Sequence, residues 1–247
     1  MPTSLAHTVG MTVADLPGVP ETALPEGLRE RLPAQPPAAP WHCDVEAVLW
    51  WHRAAPGSAA LLPPELVPGP PLTLGAFVRY LSTPVGPYEE VLACPHLLAG
   101  ALRAGVLAHL HVPFIAVDSL PSIAGGRVCW SLPKTLAAFT RTGPAVRAEG
   151  DGWFVSATAR PTGPALPAPG RLATSQLTAD RTVRRATTRS TGRARLASVE
   201  VATSDGLAPW LLPGRHRGLV LRSRLRVGAA APGRPGSPGR PDRSGRP

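Results

Sequence analysis

The chain has 247 residues, 43% of them hydrophobic, with 32 prolines and 25 glycines. That is enough apolar material for one domain with tails, and too much Pro and Gly for long helices. The net charge of +10 is uneven: residues 1–170 carry ten cations against twelve acids, and residues 171–247 carry sixteen against four. Trp210 is the only aromatic residue after Phe154. The basic third therefore lacks the stacking side chains of a nucleic-acid surface and reads as Arg-rich strands on a solvated face, with no nucleic-acid partner.

In chain order, residues 1–40 are rich in Pro and Ala and read as an arm over the domain, with a short helix around Glu26–Leu32. Residues 41–228 form the domain. Strands are expected at Val45–His52, Leu72–Leu81, Tyr88–Cys94 and Val106–Val117, separated by Pro and Gly turns. Short helices are expected near Ser119–Ala124 and Lys134–Phe139. Further strands follow at Trp153–Arg160, Arg193–Thr203 and Leu219–Val227, the last with Leu219, Leu221, Ser223, Leu225 and Val227 on one face. Alternation in so many short segments predicts a mainly β fold, an antiparallel sheet or barrel with few short helices. Residues 229–247 are almost all Gly, Pro, Arg, Ser and Ala, which predicts a flexible tail that buries too little apolar surface to order itself.

Cys43, Cys94 and Cys129 are odd in number and widely spaced, fitting neither a disulfide framework nor a zinc site. A reducing, cytoplasmic setting follows. No leader pattern and no apolar run of ~20 residues is present, so no membrane partner is expected. His109 and His111 alternate on a strand candidate and share a face, which leaves open a metal-dependent barrel completed by His96 or Glu90.

Of 26 cations, 25 are arginine; Lys134 is the only lysine. Arginine replaces lysine at most solvated positions, but it cannot act as a nucleophilic amine because guanidinium stays protonated. Lys134 lies in Val128-Cys129-Trp130-Ser131-Leu132-Pro133-Lys134-Thr135-Leu136, a stretch without another charge. Burial there would disfavour the ammonium form and lower the lysine pKa. A free amine can attack a carbonyl, and the resulting iminium draws electrons from a breaking C–C or C–H bond.

The run Gly125-Gly126-Arg127 through Pro133-Lys134 resembles the Gly-Arg-Glu-x-x-x-x-Pro-Lys signature of the acetoacetate decarboxylase family. Leu61–Leu66 resembles the family's Val-Pro-Glu-Pro-Leu segment, Pro84–Glu90 its Gly-x-Tyr-x-Glu segment, and Val117-Asp118-Ser119 the stretch before the Gly-Arg element. The resemblance covers about residues 40–228. It implies a cone-shaped antiparallel β-barrel with a few helices, a homo-oligomer, and a lyase that forms a Schiff base with a small oxo acid. Lys134 matches the Schiff-base lysine and Glu90 the acid that moves protons. Arg127, Tyr88 and Trp130 fall where they could contact substrate, and no cofactor or metal is implied. The chemistry is decarboxylation of a β-keto acid or aldol and dehydration chemistry; a binding barrel that kept the fold without catalysis is the alternative.

Three positions depart from the family pattern. The second lysine that activates the first in this family is replaced by Thr135, so activation would need Arg127 or Arg79 to reach inward. A second acid is missing, with Gly75 near its place. The family's N-terminal arginine has no counterpart in Trp41–Glu46.

Overall fold

The computed structural model describes residues 16–101 and 105–233. One sheet contains β1 (Trp41–Arg53), β2 (Leu72–Ser82), β3 (Tyr88–Cys94), β4 (Ala108–Leu110), β5 (Phe114–Val117), β6 (Thr135–Leu136) and β7 (Ala138–Thr142). It continues through β8 (Ala145–Gly150), β9 (Trp153–Pro167), β10 (Gly170–Leu177), β11 (Val183–Thr203), β12 (Gly214–Val227) and β13 (Ala231–Pro232). Among the described residues, helix is confined to α1 (Glu26–Arg29), α2 (Leu120–Trp130) and two short 3-10 turns.

The main path runs β6-β5-β3-β2-β1-β12-β11-β9-β8-β7. Its end strands β6 and β7 are separated in the chain by Ala137 alone, so the two edges adjoin and the sheet rolls into the expected cone-shaped barrel. A branch, β11-β10-β4, leaves the long strand β11 and returns to the loop after β3, where Leu98 N–H donates to His109 O (2.8 Å). Pairing is antiparallel except at β5/β6 and β4/β10.

Both faces of the central strands are covered. In β1, Trp41, Cys43, Val45 and Ala47 turn to one side while Trp50 turns to the other, as the two-residue strand period requires. The second side is a packed aromatic core in which Trp50, Phe77, Phe114 and Trp153 are buried, with Phe114 edge-on to Trp153 at 5.0 Å. Gly75 belongs to this side: a Cβ there would lie 2.2 Å from the Trp50 ring. The outward faces of β11 and β12 carry Arg189, Arg193, Arg195, Arg222, Arg224 and Arg226 in solvent, where Arg224 approaches Asp44 (3.5 Å) and Arg222 approaches Glu46 (3.8 Å).

Some expectations need correction. Lys134–Phe139 is not a helix, because Thr135–Leu136 pairs with β5 and Ala137 N–H bonds Val117 O (2.9 Å); sheet pairing overrides a weak local preference. Val106–Val117 is broken before Pro113, which has no N–H to give a ladder. Pro113 O instead accepts from Val19 N (3.1 Å) and Thr22 Oγ1 (3.1 Å), seating the arm. The short helix near Ser119 extends to Trp130, and strands β8 and β10 add to those expected from the sequence. The segment expected to be a tail from residue 229 begins with β13, paired to Arg184 and Arg185; residues 234–247 lie outside the described residues, as do 1–15 of the arm. All three cysteines are free. No described helix is long and apolar enough to cross a membrane.

His109 and His111, the pair that left a metal-dependent barrel open, do not line the barrel cavity described below. His109 bonds Ala99 O (2.9 Å) and Ser175 Oγ (2.8 Å), and His111 bonds Ser175 O (3.1 Å). Among the described residues no group of three or more His, Cys, Asp and Glu side chains could hold a metal. Burial pushes the His111 pKa down to about 4, from 6.5. The unfolded chain therefore binds the extra proton first, and stability falls as pH drops from about 6.5 to about 4. The expected loss is up to about 3 kcal/mol, and His111→Gln flattens that part of the profile in denaturant titrations between those pH values.

Candidate functional site

The barrel interior on the Trp41 side encloses a cavity of about 240 Å³. Strand β3 supplies Tyr88, Glu90 and Leu92 to its wall, and β2 supplies Ala76, Val78 and Tyr80. Register decides the grouping: Glu90 lies opposite Val78, and Tyr80 opposite Tyr88, with the two rings stacked at 4.2 Å and 17°. Lys134 reaches the same wall from the far end of α2.

The path of α2 explains how it gets there. Ser119 caps the helix by accepting from Ser122 N–H (3.3 Å), with Pro121 in the first turn, the usual role of a serine at that position. The helix ends with Ser131 in the left-handed region (φ 54°), Leu132 N–H bonding Gly126 O and Ser131 N–H bonding Arg127 O, both 3.1 Å. This paired C-terminal bond pattern reverses the chain, so Leu132-Pro133-Lys134 folds back along the helix. Gly126 leaves room for that return, since a Cβ there would lie 2.5 Å from Lys134 Cδ. Gly125 does the same for Trp41, whose ring would be 2.5 Å from a Cβ.

Lys134 Nζ donates to Glu90 Oε2 at 2.6 Å and to Ser122 Oγ at 3.0 Å, and lies 5.2 Å from the Tyr88 ring centre. Tyr80 OH donates to Glu90 Oε1 (3.1 Å). Lys134 is 3% exposed and Glu90 2%, so an ion pair sits in a nearly dry wall with each partner hydrogen-bonded again. Burial is the largest single influence on Lys134 and pushes its pKa down; Glu90 and Tyr88 together outweigh it and hold the pKa above 10.5. That reverses the expected lowering. The apolar sequence context shows the desolvation but not a partner 44 positions away. Burial also raises Tyr88 to about 12, so its phenol stays neutral.

The other residues singled out in the sequence separate by role. Trp130 and Tyr88 line the cavity; Trp130 Nε1 donates to Gly228 O (2.7 Å) and its ring meets Trp41 edge-on at 4.9 Å. Arg127 does not line it. Its Nε donates to Lys134 O (2.7 Å) and its Nη2 to Thr22 O (3.3 Å), tying the lysine backbone to the N-terminal arm. Arg79 pairs with Glu89 at the surface (3.6 Å). Neither arginine is among the influences on Lys134. Gly75, near the place of the family's second acid, faces the aromatic core rather than the cavity. Ser122 and Tyr80 are not singled out by the sequence. For Ser122 a signal exists, since it stands four residues before Gly126 on one helix face; for Tyr80 only the β2/β3 register identifies it.

Adding one methyl at Gly126 must move the lysine side chain out of its bonds to Glu90 and Ser122. Gly126→Ala is expected to leave the melting temperature within a few degrees while lowering the rate of Lys134 modification by a reactive carbonyl at least tenfold, measured by peptide mass spectrometry.

The chain matches the family model for acetoacetate decarboxylase (ADC) over residues 28–204. No curated protein matches it. Among solved structures it is similar to an acetoacetate decarboxylase (TM-score 0.61, 14% identity, covering 80% of this chain and 90% of that one). It is also similar to an acetoacetate decarboxylase-like enzyme from Sphingomonas wittichii RW1 (0.60, 15%, 80% and 94%). A third is the enduracididine biosynthesis enzyme MppR complexed with pyruvate (0.59, 17%, 81% and 93%). At these identities the structural likeness speaks for the fold, and the family match spans most of the barrel together with the Gly126–Lys134 element: this chain belongs to the acetoacetate decarboxylase family.

Proposed function

We propose that this protein is a Schiff-base lyase acting on an oxo acid, with Lys134 as nucleophile and Glu90 as proton carrier. The observation that carries the reading is the 2.6 Å contact between these two groups on the wall of a largely apolar cavity with no other charged side chain. Because the pair is neutral overall, a proton can pass from Nζ to Oε2 without leaving a lone buried charge, which would cost several kcal/mol. The neutral amine attacks the carbonyl carbon. The carbonyl oxygen departs as water, Glu90 returns its proton to the imine nitrogen, and the iminium then faces the Glu90 carboxylate.

In a 3-oxo acid, the bond between the carboxylate and the adjacent carbon then breaks. Its electron pair moves into the enamine, and neutral CO2 leaves. A proton from solvent, relayed by Glu90, reaches the enamine carbon, and water hydrolyses the iminium to ketone and lysine; one proton is consumed overall. Decarboxylation suits this cavity because it removes a carboxylate for which the wall holds no cation besides Lys134, and a buried charge without a partner is costly. In aldol or dehydration chemistry the same iminium would serve as electron sink. Tyr88 and Trp130 bound the substrate space, and Arg127 is read as a positioning residue that holds the Lys134 backbone. The exposed Leu166 and Leu196 on β9 and β11 are consistent with assembly into a homo-oligomer.

Borohydride reduction in the presence of 3-oxo and 2-oxo acids is expected to place an adduct on the peptide containing Lys134, and Lys134→Arg to abolish both adduct and turnover. If no carbonyl compound gives an adduct, the protein is a binding barrel without this chemistry. The pH dependence is a second check. With the lysine pKa raised, free amine becomes more abundant as pH rises, so trapping accelerates from neutral into the alkaline range. Glu90→Gln removes the largest upward influence, leaving only that of Tyr88 against burial, so the lysine pKa falls. The variant's half-maximal trapping is expected to move to lower pH, while turnover falls about 10²- to 10⁴-fold through loss of the proton carrier.

A further inference from the structure

The cavity offers far more wall than a three- or four-carbon oxo acid would touch. Strand β1 alone faces it with Trp41, Cys43, Val45, Ala47 and Leu49, a run of roughly 26 Å at the ordinary strand rise. Register extends the same wall sideways: Ala47 pairs with Leu221 and Cys43 with Leu225 of the neighbouring strand β12, and Trp41 with Val227. Leu172 of β10 faces the same space. The lining is therefore a mostly aliphatic wall that extends well beyond the lysine.

Its polar inventory points the same way. Lys134 and Glu90 are the only charged groups on the wall, and each holds the other. The Tyr80 hydroxyl is used by Glu90, and the Trp130 indole N–H by Gly228 O. Asp44 and Glu46, on the intervening positions of β1, point outward, toward Arg224 and Arg222. No cation is placed to recognise a substrate carboxylate at a distance from the lysine. Tyr88, Thr174, Thr188 and Ser190 add neutral hydroxyls, but most of the lining is hydrocarbon, and burying apolar surface against it is favourable and needs no directed partner.

We infer that the carbonyl substrate of Lys134 carries an extended apolar chain lying against the wall formed by β1 and β12, making it a medium-chain 3-oxo acid rather than acetoacetate or pyruvate. This rests on the Schiff-base reading above and adds the substrate class to it. The chain supplies the binding, while the carboxylate sits beside the lysine where it is lost.

The test uses the full chain and a series of stable 2-ketones (acetone, 2-pentanone, 2-hexanone and 2-octanone), trapped on Lys134 with borohydride. The half-saturating concentration is expected to fall up to about fourfold per added methylene, and at least tenfold from acetone to 2-octanone. Equal or better trapping of acetone overturns the chain-length inference and leaves the Schiff-base reading standing. Absence of any adduct, short or long, overturns both. Ala47→Phe, which places a ring in the cavity, is expected to reduce the ratio of 2-octanone to acetone trapping at least tenfold; an unchanged ratio in the folded variant also overturns it. The wild-type series decides the matter even if that variant does not fold.

Discussion

An ammonium and a carboxylate held 2.6 Å apart and almost out of water impose conditions on everything around them. Removing two ions from water costs several kcal/mol each, and their mutual attraction offsets this only when their remaining hydrogen-bonding capacity is met. Ser122 accepts a second hydrogen bond from Lys134, and Tyr80 donates to the second oxygen of Glu90. The site therefore needs a helix end, two neighbouring strands and an arm held in fixed relation. Arg127 is the tie between them: buried itself, it directs donors to the carbonyls of Lys134 and Thr22. Bonds of that kind use the strength of a charged donor without setting a second cation against the amine.

The sheet resolves a conflict between rigidity and space. A β-barrel filled by side chains is a packed core, whereas a carbonyl reaction needs room. Here the central strands have two buried faces, one closed by interlocked aromatic rings and one left open as the cavity. The packed face holds the strand positions from behind. Gly75 shows how tight it is, for the Trp50 ring occupies the volume of any side chain there.

The departures from the family pattern also have a physical reading. Thr135, in place of a second lysine, is buried, and its hydroxyl bonds Ala23 O of the arm (3.4 Å), so the position serves to fasten the chain. A neighbouring cation would lower the lysine pKa by repulsion. This protein instead sets a carboxylate beside the amine, which raises it. In the proposed reaction, proton exchange within a neutral pair would take the place of activation by charge repulsion, and the pair would carry its own proton store into the later steps.

Much of this architecture is legible in the amino-acid sequence. Alternation locates the start of β9 and most of β12, where every second side chain turns inward, while apolar runs between Pro and Gly turns locate β2 and β3, which bury side chains on both faces. The lone Lys134 stands out because arginine cannot replace a nucleophilic amine, and the Gly126–Lys134 element carries the family. Local sequence misjudges Lys134–Phe139, where pairing with β5 prevails, and it misses β8 and β10, whose small and polar residues alternate weakly. Above all, the sequence determines which group could be the nucleophile, since that is a property of one side chain. Only the tertiary structure decides its ionisation and its surroundings: Glu90, Tyr80 and Ser122 meet Lys134 through sheet register and a helix reversal, and electrostatics in a low-dielectric wall depends on distances the chain order does not contain.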